Sequence, residues 1–274
     1  MDNSDNSDAI GAPVVVARDE QVPAVAVVTL NRPQRRNALT VELKEALRAA
    51  LEQVAADPEV RAVVLAGTGK SFCVGQDLGE HVESLRGNAS TSFGTVEKHY
   101  NPIVTAIATM PKPVVAAING GAVGAGLGFA LACDLRVAAD TATFATAFAA
   151  IGLTADSGLS ASLVHSLGAA RATELLLLGE SFDAAQALAS GLVRSVVPAD
   201  RVLDAALELA RTLAAGPTAA YAEIKRAVAV GAVSSLDTVL ATEAAGQARL
   251  GVTRDHKEAV EAFLAKRRPV FEGR

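Results

Sequence analysis

The chain opens on a polar, acidic stretch (MDNSDNSDAIGAP) and then settles into short apolar runs separated by longer segments of helical spacing. The runs Val14–Ala17, Val25–Leu30, Ala62–Ala66, Val114–Ile118, Leu135–Ala138 and Leu192–Val197 are Val-rich and apolar at successive positions. That pattern predicts strands covered on both faces rather than strands with one wet face. Between the second and third runs, Leu43, Ala46, Leu47, Ala50, Leu51 and Val54 recur on one helical face. The spacing predicts a helix over 40–56 with Thr40 as its N-cap. After Pro198 no strand pattern returns, and helices are predicted at 200–214, 217–231, 234–249 and 254–266, with Ser234 and Asp237 resembling a capping box in which Asp replaces Glu. The organisation is an α/β core over 13–198, preceded by a disordered tail over 1–12 and followed by a helical region over 199–274 able to pack on the core or on another subunit.

Composition narrows the field. Half of the 274 residues are apolar and a fifth charged, so the chain has ample material for a buried core and is not a disordered one. Net charge is −5, and there is no Trp, which argues against a nucleic-acid binder. Cys73 and Cys133 both lie in apolar stretches and are expected as buried free thiols. The acidic start is not a secretory signal. The longest uncharged run, Pro113 to Cys133, is interrupted by Asn119 and five glycines, which argues against a membrane span, and a cytoplasmic protein is expected. In that compartment the Asn88-Ala89-Ser90 sequon carries no meaning.

Several motifs fail on inspection. Gly67-Thr68-Gly69-Lys70-Ser71 ends like a phosphate loop, but the Gly required five residues before Gly69 is Val64. Gly124-Ala125-Gly126-Leu127-Gly128 is not the dinucleotide pattern, and no acidic residue follows at the ribose distance. His81, His99, His165 and His256 show no metal-ligand spacing, and there is no GxSxG elbow. Two segments survive, Ser71–Leu78 and Asn119–Gly128, each following a predicted strand and each rich in small residues that let a ligand approach the backbone. The second runs into a helix whose first N–H groups have no internal acceptor. Two such N–H groups converging from two loops would form an oxyanion hole, although the glycines could equally serve tight turns alone.

LNRPQRRNALT (30–40), FCVGQDL (72–78), MPKPVVAAINGGAVGAGLGFALACDLRVAA (110–139), AFAAIGLTADSG (147–158) and AFLAKRRPVFEGR (262–274) occur in that order. Together they resemble the crotonase superfamily, the enoyl-CoA hydratase/isomerase family, and within it the branch of the 1,2-epoxyphenylacetyl-CoA isomerases. The resemblance covers about Ala24 to Arg274. It implies a spiral of ββα units with two roughly perpendicular sheets, a helical C-terminal region at subunit contacts, and a homotrimer or hexamer. The implied ligand is an acyl-CoA thioester, part of the substrate rather than a cofactor, with no metal and no redox group.

By motif position the resemblance makes the N–H groups of Gln76 and Ala125 the oxyanion donors. It puts Val74, Gln76, Asp77 and Leu78 around the adenine and pantetheine, and Arg32, Arg35 and Arg36 in the other CoA-contacting loop, Arg36 foremost; simple solvated charge is the alternative for these arginines. The hydratases' two glutamates would fall at Gly128 and Phe148, neither of which can serve as an acid or base. The remaining carboxylate in the acyl-pocket segment is Asp156, resembling the aspartate of the isomerase branch, with Ala155 in place of a Pro. The implied activity is an isomerase with Asp156 as proton shuttle. The alternatives are a helix cap at Asp156, a hydratase using another base, and a non-catalytic acyl-CoA binder.

Overall fold

The computed structural model describes residues 11–92 and 94–274, so nearly all of the expected N-terminal tail lies outside the described residues. Six strands form one sheet: β1 (Val14–Arg18), β2 (Val25–Leu30), β3 (Ala62–Gly67), β5 (Val114–Ile118), β7 (Leu135–Ala139) and β10 (Ser195–Val197), in that spatial order. They are the six runs read from the sequence. The β1–β2 pair is antiparallel and the other pairs are parallel. β5 is buried at every position and β3 at all but its last, as their unbroken apolar runs require.

A second sheet contains β4 (Ser71–Cys73), β6 (Gly121–Val123), β8 (Thr143–Ala145) and β9 (Phe182–Asp183), in that order. These strands have two or three residues each, too few for a period, and the pattern of apolar positions did not reveal them. β3 leads into β4, β5 into β6 and β7 into β8, so each turn of the chain lays one strand in each sheet before a helix follows. That is the ββα spiral expected from the resemblance.

α1 (Val41–Ala56) packs against β2 and buries Leu43, Leu47, Leu51 and Val54. Thr40 caps it, its hydroxyl accepting from the Leu43 N–H at 3.3 Å, while the Glu80 carboxylate accepts from the Val41 N–H. α8 (Val202–Ala214) lies on β3, β5 and β7, and its small buried stripe of Ala206, Ala210 and Ala214 allows close approach. The first helix of the C-terminal region thus packs on the core, one of the two placements expected for that region. α9 (Thr218–Gly231), α10 (Leu236–Leu250) and α11 (Arg254–Leu264) follow. The expected Ser234–Asp237 box is absent. Ser235 occupies the N-cap of α10, and its hydroxyl meets the Thr238 hydroxyl at 3.1 Å instead of a helix N–H. Among the described residues no helix is long and apolar enough to cross a membrane. Cys73 and Cys133 are buried free thiols, and burial pushes both up to about 12.

Candidate active site

The two Gly-rich segments meet at the junction of the sheets. α4 (Ala125–Ala132) starts directly after β6, and Gly124 reaches its N-cap position through a φ of 55°, a turn that glycine makes without strain. Gly75, with φ 82°, sits against this turn: a Cβ there would lie 3.0 Å from the Val123 carbonyl and 3.7 Å from the Ala125 nitrogen. Behind them Asn37, fully buried, clamps three strand-end carbonyls. Its amide donates to Thr68, Ser71 and Phe72, and its own oxygen accepts from the Arg32 N–H.

The Asn37 clamp places Leu39 beside Gln76 in a single parallel bridge. Leu39 donates to the Gly75 carbonyl at 2.8 Å and accepts from the Asp77 N–H at 3.2 Å. Backbone groups alternate along an extended segment, so the Gln76 N–H points away from Leu39. The Ala125 N–H begins a helix and has no partner inside it. Neither N–H finds an acceptor among the described residues.

Both donors belong to residues lining a cavity of 470 Å³, together with Val74, Asp77, Leu78, Tyr100, Phe148 and Asp156. The wall is largely apolar, with Ala38, Val123 and Ile151 adding to it. Arg35 lines the cavity as well, exposed, with no hydrogen bond or ion pair from its guanidinium among the described residues. Arg36, the arginine favoured from the sequence, is exposed outside this lining. It occupies the left-handed end of the turn η1 (Pro33–Arg35), at φ 52°. Arg32 is engaged elsewhere, donating to Asp77 at 3.2 Å and to the Ala38 carbonyl.

Asp77 caps the helix that follows it, accepting from the N–H groups of Gly79 and Glu80. Burial raises its carboxyl, but the Glu80 N–H and the Arg32 guanidinium outweigh burial and hold it below the ordinary range. Such a carboxylate is a poor proton carrier.

Asp156 differs. Among the described residues its carboxylate accepts from the Ser157 hydroxyl alone, at 2.8 Å, and it borders both the main cavity and a neighbouring one of 320 Å³. Burial pushes its carboxyl above the ordinary range, with the Ser157 hydroxyl and the charge of Lys44 opposing. The helix-cap alternative fails, because α5 (Leu159–Leu167) has Gly158 at its cap and no side chain capping it. What places Asp156 is a left-handed pair, Ser157 at φ 53° and Gly158 at φ 67°. A left-handed Ser is uncommon, and such positions concentrate at functional sites.

Gly128 explains how that turn fits. A Cβ there would lie 2.6 Å from the Ser157 Cβ and 2.8 Å from its carbonyl oxygen. The helix surface that would carry a glutamate side chain is occupied by the turn that carries Asp156. Gly128→Ala should therefore cost about 1–3 kcal/mol of stability, the range for overpacking a filled core, as read by urea unfolding. Unchanged stability would mean that the turn yields freely.

Sequence reasoning did not single out three residues around this site: Lys44, Thr95 and Tyr100. Lys44 falls within the buried stripe of α1, one turn before Leu47 and two before Leu51, so a charge on an apolar face was the available clue.

The family model for enoyl-CoA hydratase/isomerase matches residues 20–274. The chain belongs to that family. The 1,2-epoxyphenylacetyl-CoA isomerase of Escherichia coli (strain K12) is 41% identical over 250 residues, covering 91% of this chain and 95% of that protein. A Rhodobacter capsulatus protein described as an enoyl-CoA hydratase is 42% identical over 258 residues, covering 94% and 98%. Among solved structures, an enoyl-CoA hydratase/isomerase from Mycobacterium abscessus superposes with a TM-score of 0.90 at 50% identity, covering 95% of this chain and all of that one. The family is thus one of acyl-CoA enzymes, and its members carry names from both reaction types.

Proposed function

We propose that this member is an isomerase of unsaturated acyl-CoA thioesters rather than a hydratase. The observation that carries the reading is the placement of one partly buried, weakly partnered carboxylate, Asp156, beside two free backbone N–H groups. The thioester oxygen accepts from Gln76 and Ala125, which favour the enolate over the neutral thioester. Asp156 takes a proton from the α carbon of a 3-enoyl thioester. The electron pair spreads as a dienolate, and Asp156 returns the proton to the γ carbon, giving the conjugated 2-enoyl thioester. An epoxide beside the thioester would be opened by the same enolate chemistry. The raised carboxyl pKa strengthens Asp156 as a base.

The hydratase alternative has less support. Gly128 carries no side chain and Phe148 is an apolar wall of the cavity. Arg35 is the residue of the Arg32–Arg36 loop best placed for the CoA phosphates. The shuttle uses the chain's own groups and calls for no metal or redox cofactor. Ultraviolet absorbance tests the reading: a 3-enoyl-CoA should gain the band of a conjugated thioester on mixing with the protein, while crotonyl-CoA should keep it. A 3-enoyl-CoA left unchanged while crotonyl-CoA loses its band by hydration would reverse the assignment.

Ile224, Val228, Leu236 and Leu240 stand more than half exposed on α9 and α10. This supports assembly as a homotrimer or hexamer, and light scattering should give three or six chain masses; a monomer at micromolar concentration would contradict it.

A further inference from the structure

Lys44 is only 1% exposed, yet among the described residues no carboxylate lies within ion-pair distance of its Nζ. The ammonium donates to the Gln76 side-chain oxygen at 3.3 Å and to the Thr95 hydroxyl at 2.7 Å, and it stands 5.3 Å from the centre of the Tyr100 ring. Burying an ammonium without a counter-ion is costly, so a site that keeps one has a use for the charge. The same Gln76 oxygen accepts from the Tyr100 hydroxyl. An ammonium can only donate, so this pair fixes the carboxamide orientation at the residue whose backbone N–H faces the cavity.

We propose that Lys44 is a positioning residue that supplies a fixed positive charge behind the thioester site, holding Gln76 in place and favouring negative charge on both the enolate and Asp156. This rests on the isomerase reading above. In a low-dielectric, pre-organised surrounding such a charge acts without reorganising during the reaction.

The charged and titratable groups around it come from every neighbouring element. Burial lowers the Lys44 pKa, opposed by Glu80 on the helix that follows Asp77, by Asp156 from the turn before α5, and by Glu45 on the same helix as Lys44. Tyr100 and His99 lie on the segment Val96–Tyr100. Burial and then Lys44 lower the His99 pKa, which suits a neutral ring whose Nδ1 accepts from the Thr95 hydroxyl at 2.9 Å. Burial, and next Asp156, raise the Tyr100 hydroxyl, which therefore stays a donor. Lys44 is the cation among the groups acting on Asp156, with the Ser157 hydroxyl as its hydrogen-bond partner.

Lys44→Met keeps the length and apolar stem and removes the charge, while Lys44→Gln keeps a donor without the charge. In both, kcat for a 3-enoyl-CoA should fall by about 10- to 100-fold, short of or reaching the loss expected for a direct oxyanion donor, with KM changing by less than about threefold. The acid limb of the rate profile should move to higher pH. Carbon NMR of the Asp156 carboxyl, assigned with Asp156→Asn, should show the same upward shift with no substrate present. A Lys44→Met turnover within threefold of wild type, a Lys44→Gln turnover restored to wild type, or an unmoved Asp156 titration would each overturn the proposal. A wild-type protein with no isomerase activity would count against the isomerase reading alone, and the NMR titration would still decide the role of Lys44.

Discussion

Replacing Asp156 by asparagine should lower isomerase turnover by roughly 10²-fold or more, the usual scale for losing general acid–base help. Asparagine is nearly isosteric and can still accept from the Ser157 hydroxyl, so the turn at 157–158 survives. Acyl-CoA affinity should change little, because the proposed thioester contacts come from the Gln76 and Ala125 backbone. Stability should move the other way. The Asp156 pKa is raised in the folded protein, so the native state binds that proton more tightly than the unfolded chain. Stability from this group is present at pH below the ordinary Asp value and is lost as pH rises through the raised one. At neutral pH the variant should therefore melt at or above the wild-type temperature, and the advantage should vanish in acid. Turnover within a few-fold of wild type, with binding intact, would remove Asp156 from the chemistry.

The second large effect is expected at Ala125. Proline lacks the N–H, and the first helical position is where proline is best tolerated. Ala125→Pro should therefore leave α4 in place while deleting one donor and setting ring carbon where the thioester oxygen would bind. Turnover should fall by about 10²–10³-fold or more. Ala125→Gly keeps the N–H and should stay within a few-fold of wild type. Circular dichroism and the melting temperature of both variants show whether the helix persists. Equal losses in the two variants would place the cause in packing rather than in the missing donor.

What the sequence disclosed follows the physics of each element. The inner strands of the larger sheet were legible because covered strands must be apolar on both faces, as in Val63–Ala66 and Val114–Ile118, whereas the edge strands β1 and β10 carry apolar runs without the expected cover on both faces. The smaller sheet was illegible because Ser71–Cys73 or Thr143–Ala145 is held by its neighbours and not by its own pattern. At the site, the free N–H of Ala125 follows from its place at a helix start, whereas that of Gln76 depends on a bridge to Leu39, 37 positions earlier in numbering. The sequence favoured Arg36 over Arg35, and the structure reverses the order: Arg35 lines the cavity, while Arg36 sits in a left-handed turn outside it. Lys44 was hidden because a helical pattern marks which face is buried and says nothing of what it meets there.

The most direct test of the central claim is turnover of crotonyl-CoA in heavy water, followed by mass spectrometry. A thioester enolate made and unmade by Asp156 predicts uptake of deuterium on carbon with no addition of water, and loss of that uptake in Asp156→Asn. Addition of D2O across the double bond at around 10 s⁻¹ or faster, the median for enzymes, with undiminished rate in Asp156→Asn, would contradict it.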